Sequence, residues 1–416
     1  MVRKRLPKRQ ISPPLLAAGT IFLTASTVFY PQEAFDAAVK GLDVWWNIVF
    51  PALLPFFIGS EVLMGLGVVH FMGVLLEPLM RPVFNVPGAG SFVMAMGLAS
   101  GFPIGSILSA RLRREELCSK VEGERLMSFT NTADPLFMFG AVAVGMFGYP
   151  QIGITIAAAH YLASFTTGLA LRFYGRSQPN TPETLSSGSV FGKAFLALYN
   201  AREKDARPFG QLLGDAIRNS VNTLLLIGGF IILFAVIIRM MTALGIVGLL
   251  SRVLMFALAP FGLDPHLIPA LVSGLFEITL GSQLAAQAPN TVPMLQKVMV
   301  VGAIIAWSGI SVHAQVASFI SGTKMKMTPF IVSRFIHAVL AAAYTYILMG
   351  PLSPVLSRYS VPVFLQVEPH SAPTFLWQHT AQTGWRFLLA CALLTGAGLL
   401  VGALRQAKIS ITAYHR

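Results

Sequence analysis

The residues best placed to do chemistry are Ser273-Gly274-Leu275-Phe276-Glu277-Ile278-Thr279-Leu280-Gly281-Ser282-Gln283, a carboxylate among hydroxyls and glycines inside a long apolar run. A charge at bilayer depth costs roughly 2.5–3.5 kcal/mol on insertion scales, so such a residue faces a protein interior or a water-filled cavity. An earlier stretch, Ser100-Gly101-Phe102-Pro103-Ile104-Gly105-Ser106, has the same character. Two glycine-broken polar segments at matching places in two halves point to the binding site of a transporter. Two further apolar segments are broken by polar residues, at Ser128–Pro135 and at Trp307–Gln315. Helix breaks free backbone N–H and C=O groups, and the N-termini of half-helices present positive dipole ends suited to carboxylates.

Ser100, Gly101 and Ser106 are therefore expected to meet Asn131 and Thr132 on one side of a site. Thr279, Ser282, Ser308, Ser311 and Gln315 are expected to line the other. Taken singly, each of these residues is explained as well by close helix packing; the set of four breaks is what favours binding. Asp134 and Glu277 are the acids expected at depth, as ligands for a coupling Na⁺ or as proton carriers. Asp134, just before Pro135, also sits where a helix N-cap would, whereas no capping position is evident for Glu277. His313 is a weaker candidate, and His160 and His337 weaker still.

The chain that must position these residues has 416 residues, 55% hydrophobic and 11% charged, with mean hydropathy +0.68. Soluble domains carry about 25% charged residues, so the composition excludes a large soluble enzyme and indicates a polytopic membrane protein. The net charge of +13 fits Lys- and Arg-rich cytoplasmic loops and contact with anionic lipid. Its basic residues are scattered among spans, which argues against nucleic-acid binding. Cys118 and Cys391 give neither a disulfide framework nor metal-ligand spacing. There is no phosphate loop, no metal-spaced cluster and no nucleophile elbow, so the reading is a non-enzyme with no cofactor beyond a coupling ion.

Residues 1–40 read as a first, uncleaved transmembrane helix followed by an interfacial segment over Pro31–Asp43. Residues 41–174 form a first repeat, with spans at Val44–Gly67, Leu126–Phe147 and Pro150–Tyr174 around the broken segment Gly88–Leu112. Trp45 and Trp46 mark an interfacial end. Residues 175–211 are a Pro/Ser/Gly-rich cytoplasmic linker. Residues 212–349 form a second repeat, with spans at Leu212–Ile238, Met294–Thr323 and Phe330–Met349 around the broken segment Pro265–Gln287; Lys324, Lys326 and Arg334 flank a span end. Residues 350–416 hold an external Pro-rich segment and a last span, Trp385–Leu404. Leu66-Gly67-Val68-Val69 recurs as Leu244-Gly245-Ile246-Val247, and the Lys/Arg bias gives the two repeats opposite topology. The expected fold is all-α, with about eight transmembrane helices and two re-entrant helical hairpins in two inverted repeats. A homo-oligomer stays open.

Trp45-Trp46-Asn47-Ile48-Val49-Phe50-Pro51-Ala52-Leu53-Leu54-Pro55-Phe56-Phe57, Leu76-Glu77-Pro78-Leu79-Met80-Arg81-Pro82, Ser100-Gly101-Phe102-Pro103 and Phe129-Thr130-Asn131-Thr132-Ala133-Asp134-Pro135-Leu136-Phe137 together resemble the YlbJ (SpoVV) family of sporulation integral membrane proteins. The resemblance covers most of the chain. Such proteins carry nucleoside-recognition (Gate) domains and look like concentrative nucleoside transporters. Phe276-Glu277-Ile278 is similar to the acidic motif of those transporters, although their fuller Asn-Glu-Phe pattern is absent. The resemblance implies transport of a small organic anion, dipicolinic acid, across the outer forespore (mother-cell) membrane during sporulation. Two readings remain beside it: a cation symporter for nucleosides or related metabolites, and a non-transporting membrane scaffold in spore assembly.

Overall fold

A computed structural model describes residues 13–178, 180–181 and 190–352. The expected span Trp385–Leu404 and nearly all of the external Pro-rich segment lie outside the described residues. Among those described the regular secondary structure is all helical, and one of the helices is inside-out relative to those of a water-soluble protein. In the helix Met327–Met349 the buried face carries Ser333, Arg334, His337 and Thr345, while Ile331, Val332, Phe335, Val339 and Tyr346 are exposed. Apolar residues outward and polar residues inward suit a hydrocarbon solvent, in which backbone groups must be satisfied within the helix. Five helices among the described residues are long and apolar enough to cross a bilayer. The chain is an integral membrane protein.

In chain order, α1 is Pro13–Phe29, α2 Pro31–Val44, α3 Phe50–Gly65, α4 Val68–Leu79, α5 Gly90–Ser100, α6 Ile104–Arg114, α7 Lys120–Thr130 and α8 Ile152–Leu171. Then come α9 Val190–Asp205, α10 Phe209–Ala243, α11 Ile246–Leu258, α12 Ile268–Phe276, α13 Ile278–Ala286, α14 Met294–Trp307, α15 Gly309–Phe319 and α16 Met327–Met349. One element order is used twice. A long helix (α2–α3, then α10) ends at a left-handed glycine, Gly67 or Gly245. An apolar helix follows (α4, α11), then a pair of short helices packed on each other (α5/α6, α12/α13). A broken helix and an unbroken one (α8, α16) complete each half. The first broken helix is α7 followed by the π-helical turns Phe137–Met146; the second is α14 followed by α15. Contacts between the halves are themselves paired: α6 packs on α15 and α13 on Phe137–Met146, while α8 packs along α16.

Several sequence expectations change. Pro31–Asp43 is continuous with the span after it: α2 runs through π-helical Trp45–Val49 into α3 as one 35-residue helix. It packs along α10, also 35 residues long, with Gly41 against Ala235 and Ile232. Each is about 52 Å by helical rise, well beyond a hydrocarbon core of about 30 Å. The Trp45 ring is buried rather than exposed. Gly228 makes room for its ring, its Nε1–H donates to the Leu224 carbonyl at 2.9 Å, and only Trp46 stays exposed. The linker 175–211, expected as a loop, contains α9. This helix is held against α4, with Phe195 edge-on to Phe71, and stops where Ala206 turns to positive φ before Arg207-Pro208. The expected span Leu126–Phe147 is two short helices rather than one. The largest apolar core joins both halves through Trp45, Leu53, Phe137, Ile156, Leu224 and Ile304.

Candidate functional site

The first pair of short helices breaks at Gly101, whose φ of 71° and ψ of −163° lie in a region essentially confined to glycine. A side chain there would also collide with Asp134, whose Oδ2 would lie 2.6 Å from the new Cβ. Both arms grip the end of α7. A Cβ at Gly97 would stand 2.0 Å, and one at Gly105 2.4 Å, from the Thr130 carbonyl oxygen. The chain then leaves helix over Asn131–Asp134. The Thr132 hydroxyl donates to the Gly97 carbonyl at 3.1 Å, and Nε2 of His160 accepts from the Ala133 amide at 3.0 Å. Asp134 Oδ1 accepts from the amides of Leu136 (3.0 Å) and Phe137 (2.8 Å), capping the turns that follow. Ser100, Gly101, Ser106, Asn131, Thr132 and Asp134 are thus drawn into one knot.

The second half builds a matching knot. Glu277 separates α12 from α13 in extended conformation, and its side chain accepts from the Leu280 amide at 2.8 Å. It is an N-cap, a role for which its sequence context gave no sign. In α14–α15 the break falls at Ser308, a non-glycine residue at φ 70°, followed by Gly309 at φ 68°. Gly309 lies against the Phe276 carbonyl and the Glu277 backbone, as Gly101 lies against Asp134. The Trp307 indole donates to the Leu275 carbonyl at 3.0 Å. Thr279, Ser282 and Ser311 are buried here. Gln315 is the outlier: it lies on α15 about 10 Å of helical rise beyond Ser308, half-buried and apart from the break.

Polar atoms in these knots are left unpaired. The Oγ atoms of Ser100, Ser106, Ser282 and Ser308, and both side-chain amide atoms of Asn131, are buried without a hydrogen-bond partner. An unpaired buried polar group costs about 1–3 kcal/mol, and native structures contain few, so their concentration at the breaks sets this region apart. What joins the knots is apolar: Phe102 and Leu136 of the first pack in the same core as Ile278 and Leu280 of the second. An open groove of about 340 Å³ lies to one side, between Met94, Leu98, Pro135 and Tyr161. Its lining is almost wholly apolar, so it offers little to a polar solute.

Arg334 was missed as a site residue, because a cation close to Lys324 and Lys326 reads as an orientation signal. It is fully buried. Its guanidinium donates to the carbonyls of Asn131 (2.8 Å) and Ser128, at the end of α7. One turn on, the His337 ring lies 4.6 Å from that of His160 and contacts the His160 carbonyl at 2.9 Å. The signal that could have found this cluster is the spacing Phe330, Ser333/Arg334, His337, Ala341, Thr345, one helical stripe carrying polar residues in an otherwise apolar segment.

Three comparisons bear on this arrangement. Residues 47–174 match the Gate family, described as "Nucleoside recognition". The sporulation integral membrane protein YlbJ of Bacillus subtilis (strain 168) is 49% identical over 341 residues, 81% of this chain and 83% of that protein. The solved structure of CNTnw in an inward-facing substrate-bound state is similar at 13% identity, over 84% of this chain and 88% of that one, with a TM-score of 0.43.

Proposed function

Since the chain belongs to the family of the sporulation integral membrane protein YlbJ, we propose that it is a membrane carrier for a small organic anion, dipicolinic acid. In this reading it moves that anion from the mother cell across the outer forespore membrane. The observation that carries the reading is the pair of knots, in which buried hydroxyl and amide groups lie unpaired beside two carboxylate-capped helix breaks. Pre-placed donors at broken helices suit a solute with two carboxylates and a ring nitrogen better than they suit a closed structural core.

The two halves stand in opposite orientation across the membrane, α5/α6 and α12/α13 are re-entrant hairpins, and alternating access rocks one set of elements against the other. Asn131, Thr132, Ser100 and Ser106 face the solute from one side, and Thr279, Ser282, Ser308 and Ser311 from the other. Asp134 and Glu277 serve a coupling Na⁺ or H⁺. The Gate match favours one second reading, a nucleoside or metabolite symporter on the same scaffold. Competition decides between them. Purified protein in liposomes should accumulate labelled dipicolinate, with excess unlabelled dipicolinate suppressing the signal and nucleosides leaving it unchanged. Suppression by nucleosides instead would install the second reading.

A further inference from the structure

Arg334 has one structural duty that accounts for part of its position. The last carbonyls of α7 lack intrahelical partners, and the guanidinium satisfies two of them, on Ser128 and Asn131. A helix C-terminus supplies the equivalent of only about half a negative charge, against a full positive charge on arginine. Among the described residues no carboxylate pairs with Arg334, and its Nε has no hydrogen-bond partner. A buried charge without a full counter-charge is strongly unfavourable. The guanidinium is left without a full counter-charge of its own, on a helix long and apolar enough to cross the bilayer.

Beside the guanidinium lie an amide and three histidine rings, while Asp134 of the same knot is engaged by the Leu136 and Phe137 amides. The Asn131 amide, whose own backbone carbonyl holds Arg334, is unpaired at both side-chain atoms. His160, His313 and His337 all lie within electrostatic reach of the guanidinium. His160 Nε2 accepts the Ala133 amide, so its buried, unpaired Nδ1 carries the proton and can donate, whereas His337 and His313 each donate to a carbonyl and leave an unpaired acceptor nitrogen. Phe330 lies between the guanidinium, 5.4 Å away, and the His313 ring, 5.2 Å away, which gives the cluster an aromatic wall. The Nε–H of Arg334, the Asn131 amide and His160 Nδ1–H are buried donors without partners that a carboxylate could use, and the guanidinium fork matches carboxylate geometry.

We propose that Arg334 is the specificity-determining residue of the carrier: its guanidinium, with the Asn131 amide, binds a carboxylate of the substrate and selects anions over neutral solutes of the same shape. The proposal rests on the anion-carrier reading above. It is tested on full-length purified protein by calorimetric binding of two probes of one shape, pyridine-2,6-dicarboxylate and the neutral pyridine-2,6-dicarboxamide. Wild-type protein is expected to prefer the dicarboxylate at least tenfold. Arg334→Gln should erase that preference through a roughly 10- to 100-fold loss of dicarboxylate affinity, and Arg334→Lys should keep part of it. A preference that survives in Arg334→Gln overturns the role of Arg334 and leaves the anion-carrier reading standing. Absence of any preference in the wild type overturns both. If Arg334→Gln does not fold, His337→Glu places an internal carboxylate one helical turn from Arg334. That variant should fold and lose dicarboxylate binding, and undiminished binding by it overturns the proposal.

Discussion

Ser308 offers a perturbation whose effects on stability and on transport should run in opposite directions. The residue holds φ 70° between α14 and α15, and for a residue with a Cβ the left-handed region costs about 1–2 kcal/mol. Its hydroxyl is buried and unpaired, a further burden of about 1–3 kcal/mol. Replacing it by glycine removes both, less about 0.4–1 kcal/mol for the greater freedom of the unfolded chain. Ser308→Gly should therefore stabilise the protein by about 1–4.5 kcal/mol, read from reversible denaturant titration in detergent. Ser308→Ala removes the hydroxyl but keeps the backbone conformation, so it should recover only the hydroxyl's part. If the strain is kept because the hydroxyl contacts solute, Ser308→Gly should slow uptake by roughly two- to tenfold, the worth of one neutral hydrogen bond. A variant no more stable than wild type would refute the strain argument, and a stabilised variant with undiminished uptake would refute the contact.

Three other predictions test the framework around that break. Gly101→Ala puts a Cβ 2.6 Å from Asp134 Oδ2 in a backbone region few other residues adopt, so the same titration should show a loss of at least about 2 kcal/mol. At the foot of α7 burial works against the Glu122 carboxylate, but hydrogen bonds from Thr181, the Ser119 amide and Arg81 outweigh it and hold its pKa below the usual carboxylate range. Its stabilisation is complete above the ordinary carboxylate pKa and is lost as pH falls through the depressed value, so Glu122→Gln should flatten the acid side of a melting-temperature-against-pH profile. Glu277→Gln keeps an oxygen able to accept the Leu280 amide bond but loses the charge. It should leave protein abundance unchanged and reduce ion-driven uptake, measured at matched protein density in liposomes.

The breaks were legible in the sequence because glycine, proline and serine interrupt otherwise apolar runs, and the chain turns at Gly101, Asn131, Glu277 and Ser308. The doubled element order was legible for a related reason: Leu66-Gly67 and Leu244-Gly245 each end a long helix at a left-handed glycine. What stayed hidden depends on partners distant in sequence. Trp45 looks like an interfacial anchor until Gly228, on another helix, makes room for its ring. Arg334 looks like a loop charge until the end of α7 supplies carbonyls from about two hundred residues away. The helix α9 was masked by the Pro/Ser/Gly-rich run before it, and only its packing on α4 justifies it. Glu277 showed no capping signature because glutamate is not among the residues preferred at an N-cap.

The central claim is that the paired knots bind a carboxylate solute for transport. Uptake of labelled dipicolinate into liposomes carrying the purified protein, beside Glu277→Gln and Asn131→Ala, tests it most directly. Saturable uptake is expected in the wild type, reduced at least severalfold in both variants while their folding is intact. Wild-type liposomes that take up no more dipicolinate than protein-free ones, under every ion gradient applied, would contradict it.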